Sequence, residues 1–381
     1  MSLEELSKTE FHLDRHLIYL NHAAVAPWPQ RTRQAVQSFA DENATIGSRN
    51  YLRWIDHETE LRKMLASLIN SPSGDDVALL KSTSEALSVV AHGLSWQAGD
   101  NVVISNQEFP SNRIVWESLS RYGVEVKVVE LSSAMTPEQA LIDACNANTR
   151  LLAISSVQYA TGLRMNLERL GEHCYQSDIL FCIDAIQSIG AVQFDVQKYH
   201  ADFVMADGHK WMLGPEGLAV FYCRPESRDK LSLNQYGWHM VEHAHDFSRM
   251  DWQVAQTARR FECGSPNMLG IHALRASLSL LLEIGMDKVE ARVIENSEIL
   301  IKEIQSSQNL QLITATDEER YAGIVTFRHN KTDHESLYQW LMSKGVMCAL
   351  RGGGIRYSPH FYTDYDALHR AVAMADSYVQ Q

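Results

Sequence analysis

Short runs of β-branched and other apolar residues alternate, through the middle of the chain, with stretches in which apolar residues recur every three or four positions. The first pattern is typical of buried strands and the second of amphipathic helices. Strands are predicted over 101–105, 124–131, 151–157, 179–184, 203–206 and 217–222. Helices are predicted mostly between them, over 84–94, 112–122, 137–146 and 166–176. Such alternation predicts a mainly parallel sheet that helices cover on both faces.

The pattern changes after position 263. A long helical region is predicted over 270–304, followed by a strand over 323–328, a helix over 334–344, and a final strand pair and helix. We therefore expect a large domain over 76–263 and a smaller C-terminal α+β domain over 264–381. The N-terminal segment, 1–75, contains a predicted helix over 54–69 and is expected to pack against these domains.

Composition removes several classes of protein from consideration. The chain has 381 residues, 45% of them hydrophobic, so it can build a large core without disorder or a coiled coil. Its 47 acidic and 34 basic residues give a formal net charge of −13, which opposes binding to nucleic acid. Apolar runs fall far short of the ~20 residues that span a membrane, and the acidic N-terminus is unlike a signal peptide. We expect a cytoplasmic protein that binds neither nucleic acid nor membrane.

Cysteine and histidine spacing gives little support for a metal site. The six cysteines contain no CxxC pair, so reduced thiols are expected: Cys145, Cys174, Cys182, Cys223, Cys263 and Cys348. His239, His243 and His245 lie close together in GWHMVEHAHDF, but no cysteine or second ligand cluster is near them. We interpret this segment as an ordinary polar loop and predict no metal.

Polar residues just past predicted strand ends are the first candidates for chemistry, because ligands gather at that edge of an α/β sheet. Asp184 ends one buried strand, and Lys210 follows the next, only 26 residues later (210 − 184). The interval holds one further helical stretch and one strand, which places both residues at the same edge. The turn 82–84 opens a helix with hydroxyl groups that could hold an anion. Each feature alone has an ordinary explanation: the turn 82–84 as a helix cap, Asp184 as a turn residue and Lys210 as a surface lysine. Their combination suggests a phosphate-bearing cofactor with a lysine imine.

Several long motifs, in order along almost the whole chain, resemble one family. They are YLNHAAVAP, STSEAL, EFPSN, DAIQSIG, DGHKWMLGPEG, RRFECGSPN and IRYSPHFYT. The sequence is similar to the fold-type I enzymes that use pyridoxal 5′-phosphate (PLP), in the class V aminotransferase group of cysteine desulfurases and isopenicillin N epimerase-like proteins. The resemblance implies a large PLP-dependent transferase-like α/β domain with a smaller C-terminal domain.

The resemblance also implies roles around the cofactor. Lys210 would form the internal aldimine and then act as the general base at the substrate α-carbon. Asp184 would pair with the protonated ring nitrogen, and Gln187 would hydrogen-bond the ring hydroxyl. Phosphate would be held by Thr83, Ser84 and His209.

Further residues are assigned by the same resemblance to the partner subunit and the substrate. Gly264 and Ser265 would reach the phosphate of the neighbouring subunit, which implies a homodimer with shared active sites. Arg356 matches the arginine that clamps the substrate carboxylate. The substrate entrance would be lined by Asn21, His22, Ala23 and Ala24.

The chain departs from the desulfurase pattern at three places. Phe109 takes the ring-stacking position of a histidine, so it could stack but could not transfer a proton. Tyr159, beside Gln158, stands where desulfurases usually carry asparagine and is placed with the substrate. The segment ALRGGGIR lacks the nucleophilic cysteine, and Cys348 lies in the apolar run GVMCAL, which suits inert packing. These differences disfavour a persulfide-forming cysteine desulfurase.

The leading hypothesis is a PLP-dependent enzyme that acts on an amino acid, aminotransferase-like in outcome. Carbon-sulfur lyase or other β-elimination chemistry and epimerisation share its first steps, and Tyr159 could serve elimination as an acid. A non-catalytic regulatory homologue would not need Lys210, Asp184 and Arg356 together. A nucleotide-dependent oxidoreductase is disfavoured because the glycine cluster 352–354 is not GxGxxG after a first strand. The sequence leaves open the substrate, the choice among these reactions and any protein acceptor.

Overall fold

A computed structural model describes residues 3–131, 136–317 and 319–379. The helices are α1 (Leu3–Glu10), α2 (Gln30–Ile46), α3 (Tyr51–Leu68), α4 (Thr83–Gly93), α5 (Ser111–Glu117), α6 (Pro137–Ala144), α7 (Leu167–Gln176), α8 (Pro225–Arg228), α9 (Met268–Ile284), α10 (Met286–Ser306), α11 (His334–Ser343) and α12 (Tyr365–Ser377). The strands are β1 (Ile18–Tyr19), β2 (Val77–Leu80), β3 (Asn101–Ser105), β4 (Glu125–Val129), β5 (Thr149–Ser155), β6 (Leu180–Asp184), β7 (Phe203–Asp207), β8 (Ala219–Cys223), β9 (Leu310–Leu312), β10 (Val325–His329), β11 (Val346–Met347), β12 (Ala349–Arg351) and β13 (Gly354–Tyr357).

A seven-stranded sheet forms the centre of the molecule, in the order β2-β8-β7-β6-β5-β3-β4. The strands from β4 to β7 pair in parallel, which confirms the predicted mainly parallel sheet. β8 runs antiparallel to both of its neighbours. Its direction follows from the connection over 208–218, which contains no helix, whereas a parallel return needs a long crossover. β2 was not predicted, because a run of four apolar residues does not distinguish a strand from a helix.

Helices cover both faces of this sheet, so its inner strands are largely apolar rather than alternating, whereas the edge strand β4 has the partly exposed sequence EVKVV. In β6, Ile183 packs into one hydrophobic cluster together with residues of α9. Its neighbour Cys182 points the other way, into a second cluster with residues of α4. Successive side chains of a strand point to opposite faces, and burial of both faces explains the continuous apolar runs in the sequence.

The predicted helical region 270–304 is two helices that meet at Gly285 with a bend of 86°. Gly285 adopts φ 91°, a conformation that favours glycine. α9 packs against α2 and α3, and its buried side chains join the cluster on the central sheet. The C-terminal half of α10 instead forms a third cluster with α11, α12 and the sheet β12-β13-β10-β9. The division at 75/76 and 263/264 stays a prediction, and positions 1–2, 132–135, 318 and 380–381 of those segments lie outside the described residues.

Among the described residues, no single helix is both long and apolar enough to cross a membrane. α9 and α10 reach that length and composition only as the bent pair. The apolar side chains of α9, including Leu274 and Leu278, are buried inside the protein.

Candidate active site

A cavity of about 290 Å³ lies beyond the carboxyl ends of β6 and β7, where the first turn of α4 approaches the sheet. Ligand sites occur at this edge of parallel sheets. Eleven of the residues predicted from the sequence line the cavity: Ala23, Ala24, Thr83, Ser84, Phe109, Tyr159, Asp184, Gln187, His209, Lys210 and Arg356. The fold therefore brings together side chains that are as much as 333 positions apart in the chain (356 − 23).

Lys210 and Asp184 form the charged centre of the cavity. Asp184 is the last residue of β6 and is only 2% exposed, while Lys210 follows β7 in an irregular loop. Burial lowers the pKa of Lys210 to about 8, although the charge of Asp184 opposes that shift. Burial also raises the pKa of Asp184 to about 7, against a hydrogen bond of 3.1 Å from the Ile186 N–H to its Oδ1. A lysine with a lowered pKa is more often neutral at physiological pH and so more nucleophilic.

The first turn of α4 presents unsatisfied polar groups to the same cavity. Ser82 caps the helix by accepting a hydrogen bond from the Glu85 N–H. Two buried atoms that belong to lining residues, Thr83 Oγ1 and His209 Nδ1, have no hydrogen-bond partner among the described residues. Burial lowers the pKa of His209, which favours its neutral form. A helix N-terminus beside two unpaired polar groups fits a phosphate, because each group could then donate to an oxygen.

Gln187 is held in one orientation by the loop that follows Lys210. Its side-chain oxygen accepts a hydrogen bond of 2.8 Å from the indole N–H of the fully buried Trp211. Its side-chain nitrogen donates to the Ala23 carbonyl oxygen at 3.1 Å. The segment that carries Asp184 and Gln187 is thereby tied both to the lysine loop and to the N-terminal segment.

Gly190 allows these two segments to approach. It has φ 94°, and a Cβ there would lie 2.4 Å from the carbonyl oxygen of Trp211. We expect Gly190→Ala to lower the free energy of unfolding by about 3 kcal/mol, from backbone strain together with overpacking. Denaturant unfolding of the purified variant measures this effect.

A matched control separates strain from crowding. Gly353 also has a positive φ, 78°, but a Cβ there would meet nothing within 4 Å. Gly353→Ala should therefore show the strain alone, about 1 kcal/mol. Equal losses in the two variants would contradict the close contact at Gly190.

Two aromatic residues border the cavity. Phe109 is 42% exposed, and its ring centroid lies 5.8 Å from the Lys210 amine nitrogen. Tyr159 meets Phe109 edge to face, with ring centroids 5.1 Å apart. The exposed face of Phe109 could stack on a flat ring, and the Tyr159 hydroxyl could transfer a proton.

Glu108, the neighbour of Phe109, anchors this aromatic pair, and the sequence reasoning missed it. Its carboxylate is 6% exposed and accepts hydrogen bonds from the hydroxyl groups of Ser105 and Ser155. It also accepts from the side-chain amides of Asn112 and Gln158, at 2.7 and 2.9 Å. A lone glutamate gives no sequence signal for such a network, because its donors come from separate segments.

Arg356 lies in β13 and supplies the buried guanidinium of the cavity. It is 3% exposed, and its Nη1 donates a hydrogen bond of 2.7 Å to the Tyr159 carbonyl oxygen. Its Nε is buried without a partner among the described residues. Burial lowers the pKa of Arg356 to about 10, and the nearby charge of Arg351 acts in the same direction. A buried cation with an unpaired donor is suited to a carboxylate ligand.

Some predicted residues lie outside this cavity. His22 is fully buried, with its ring nitrogens 2.8 Å from the Ser358 carbonyl oxygen and 2.6 Å from the Tyr362 hydroxyl. Asn21 pairs with Ser358 in an isolated bridge. Neither His22 nor Asn21 lines the cavity. Their expected contact with substrate stays a prediction.

Gly264 and Ser265 lie in a second cavity, which Lys81 and Glu85 also line. Lys81 and Glu85 flank the first turn of α4, so this second cavity lies next to the helix start that the first cavity uses. The role of Gly264 and Ser265 at the phosphate of a neighbouring subunit stays a prediction.

Other lining residues were not singled out from the sequence: Ser111, Asp207, Glu216 and Arg351. Asp207 ends β7 and accepts a hydrogen bond of 3.1 Å from the Thr83 N–H. The strand-end argument that found Asp184 applies equally to Asp207. Arg351 belongs to the segment ALRGGGIR, which stands out in the sequence only by its lack of a cysteine.

The cysteines lie outside the cavity that contains Lys210, although Cys263 lines the second cavity beside Gly264. All six are free, and none lines the cavity in the described parts of the chain. Cys348 is 1% exposed, and burial raises the pKa of its thiol to about 12. A buried thiol of this kind is a poor nucleophile.

The three histidines of GWHMVEHAHDF line a larger cavity, of about 640 Å³, elsewhere in the protein. His239 there lies 3.6 Å from both Glu58 and Glu262, an arrangement that could hold a metal ion. Arg62, however, forms ion pairs with both carboxylates. The guanidinium already neutralises one of the two negative charges that would attract a cation.

Comparison with known proteins shows similarity over nearly the whole chain. The family model described as Aminotransferase class-V matches residues 18–363. A probable cysteine desulfurase of Methanothermobacter thermautotrophicus is 29% identical over 377 residues, which cover 93% of each chain. A Bacillus subtilis protein named as an uncharacterized aminotransferase is also 29% identical, over 89% of this chain and 88% of its own length.

Solved structures show the same fold. The apo cysteine desulfurase of Thermococcus onnurineus superposes with a TM-score of 0.86 at 23% identity, over 98% of this chain and 97% of its own. The complex of the cystine C-S lyase C-DES with its product cysteine persulfide gives a TM-score of 0.88 at 19% identity, over 96% and 98%. At these identities the similarity establishes the architecture alone.

Proposed function

Because the chain belongs to the class V aminotransferase family of PLP-dependent enzymes, we propose that it carries out an aminotransferase-like reaction on an amino acid. One observation carries the proposal: the Lys210 amine shares a cavity with a buried carboxylate, Asp184, and a buried guanidinium, Arg356. These are the groups needed to hold an aldehyde, a protonated ring nitrogen and a substrate carboxylate.

The lining residues fit PLP. The unpaired Thr83 Oγ1 and His209 Nδ1, with the start of α4, would hold its phosphate. Asp184 would accept a hydrogen bond from the ring nitrogen, and Phe109 would stack on the ring. When bound, PLP supplies an electron sink that makes the α-hydrogen of an amino acid acidic.

The protein's own residues then perform the binding and the proton transfer. Arg356 would bind the substrate carboxylate through two parallel hydrogen bonds, using the Nε that is unpaired in this structure. Lys210, whose lowered pKa favours the neutral amine, would take the proton from the α-carbon. Transamination requires no further acid or base than this lysine, which could deliver the same proton to the cofactor.

A carbon-sulfur lyase is the second candidate, and the placement of Tyr159 favours it. Its side chain lines the cavity beside Phe109, where the hydroxyl could protonate a sulfur leaving group from the β-carbon. Epimerisation would also need a second acid-base group near the α-carbon, and Tyr159 could serve there too. A persulfide on the protein's own cysteine has less support, because Cys348 is buried and no cysteine of the described residues lines the cavity.

A cytoplasmic homodimer belongs to the same proposal. The six free cysteines suit a reducing compartment. Gly264 and Ser265 border a cavity beside the start of α4, and a Cβ on Gly264 would meet nothing within 4 Å, so a partner has room to approach. Sedimentation of the purified protein as a monomer alone would contradict the shared active site.

The experiment that tests the reaction is an absorbance scan of the purified protein during addition of single amino acids. Keto acid, ammonia and sulfide are assayed in parallel. We expect a cofactor band at longer wavelength than the protein's own absorption. A substrate amino acid should convert this band, with formation of stoichiometric keto acid and no ammonia. Release of ammonia or sulfide with recovery of the band would make the protein a lyase. Absence of any cofactor band would contradict the proposal and favour a non-catalytic homologue.

A further inference from the structure

Two arginines of the hairpin β12-β13 point to the same side. Ala349 pairs directly with Arg356, and Arg351 pairs with Gly354. Directly paired residues share a face of a sheet, and so do residues two apart on one strand. Arg351 and Arg356 are therefore diagonal neighbours on one face, with Cβ atoms roughly 7–8 Å apart. Both line the cavity that contains Lys210.

The tip of this hairpin is held firmly against the substrate side of the cavity. Gly352 has φ 61°, and a Cβ there would lie 2.8 Å from the Ala160 carbonyl oxygen. The preceding residue, Tyr159, accepts the hydrogen bond from Arg356 through its carbonyl oxygen. The hairpin and the Tyr159 loop thus form one wall, which fixes the backbone of Arg351 at the cavity.

Negative charge in the cavity lies close to Lys210. Asp184 and Asp207 both act on Lys210, and Asp207 also accepts a hydrogen bond from the start of α4. Arg356 instead lies near two other cationic side chains, Arg351 and Lys210. Within the described ranges Arg351 forms no ion pair, and its Nη1 donates to the Leu350 carbonyl oxygen at 2.8 Å. Two cations on one wall are stabilised when a ligand brings two anionic groups.

We infer that the substrate is an α-amino acid with a second carboxylate at the end of its side chain, bound by Arg351 while Arg356 holds the α-carboxylate. The inference rests on the proposed function and adds its substrate class. A dicarboxylic amino acid such as glutamate and a disulfide such as cystine both carry a distal carboxylate. The dicarboxylic amino acids, which are short, and cystine, which is long, are separate arms of the test.

The test measures dissociation constants from the change in the cofactor band when isosteric pairs of amino acids bind. Glutamate is compared with glutamine, aspartate with asparagine, and cystine with the derivative in which its distal carboxylate is an amide. We expect at least one amino acid with a distal carboxylate to bind about tenfold more tightly than the neutral member of its pair. A charge-assisted hydrogen bond to a solvent-accessible arginine gives a gain of about this size. Which pair responds identifies the length of the substrate.

Variants assign that preference to the side chain. Arg351→Met should bring the ratio of the two dissociation constants close to one, and Arg351→Lys should restore part of it. Arg356→Met should instead weaken both members of a pair, because each has an α-carboxylate. A wild-type ratio near one for every pair, or a ratio that Arg351→Met leaves unchanged, would overturn the inference. A protein whose cofactor band responds to no amino acid would instead refute the proposed function.

Discussion

Lys210→Ala is expected to abolish the covalent attachment of the cofactor and to lower turnover by about 10⁴-fold, since one residue supplies both the attachment and the general base. The wild-type amine is buried beside Asp184 and has a lowered pKa, which favours reaction with an aldehyde. Borohydride reduction followed by peptide mass spectrometry measures the attachment directly. We expect a mass increase on the Lys210 peptide of the wild type and none in the variant.

Lys198→Ala is the matched control for this experiment. Lys198 is exposed and ion-paired with Glu168, away from the residues that line the cavity. Its removal deletes one lysine without touching the site, so labelling and turnover should stay at the wild-type level. A borohydride-stable label that persists in Lys210→Ala would rule out the assignment of Lys210.

Asp184→Asn is the second large effect that we expect. An amide cannot neutralise a protonated ring nitrogen, and loss of one partner of a buried charge pair costs about 3–5 kcal/mol. That corresponds to a fall in turnover of roughly 10²- to 5 × 10³-fold. The wild-type carboxylate also raises the pKa of Lys210, so its removal should lower the pKa of that amine further. Turnover and the pH titration of the cofactor-free lysine report these two effects separately.

Asp178→Asn provides the comparison. Asp178 is exposed in the turn before β6, and its φ of 54° is one that asparagine tolerates. This variant makes the same chemical change on the strand that ends at Asp184, without a change in the cavity. If Asp184→Asn retained wild-type turnover and cofactor affinity, Asp184 would have no role at the ring nitrogen.

Much of the fold could be predicted because its signals are local. The apolar run over 101–105 coincides with β3, and the one over 179–184 overlaps β6, since burial on both faces makes such strands continuous in sequence. The break between α9 and α10 at Gly285 was missed, because the apolar spacing continues through it. The reversed direction of β8 was also missed, because it depends on how the chain returns rather than on the residues of the strand.

The sequence by itself determined the chemical inventory of the site. Asp184 and Lys210 follow consecutive strands, and Thr83 begins a helix, so strand-end and helix-start signals together with the motif resemblance identified them. These signals depend on a few neighbouring residues and on the rule that parallel strands end at one edge.

Only the tertiary structure decided which further side chains share the cavity. Arg351 joins Arg356 through hairpin register, Glu108 is fixed by donors from separate segments, and His22 is turned into the core. The first outcome depends on strand pairing across a tight turn, and the other two depend on distances between residues far apart in the chain, none of which periodicity records. Residue types and their local order therefore determined which chemical groups are available, whereas packing decided where those groups lie and which of them face the cavity.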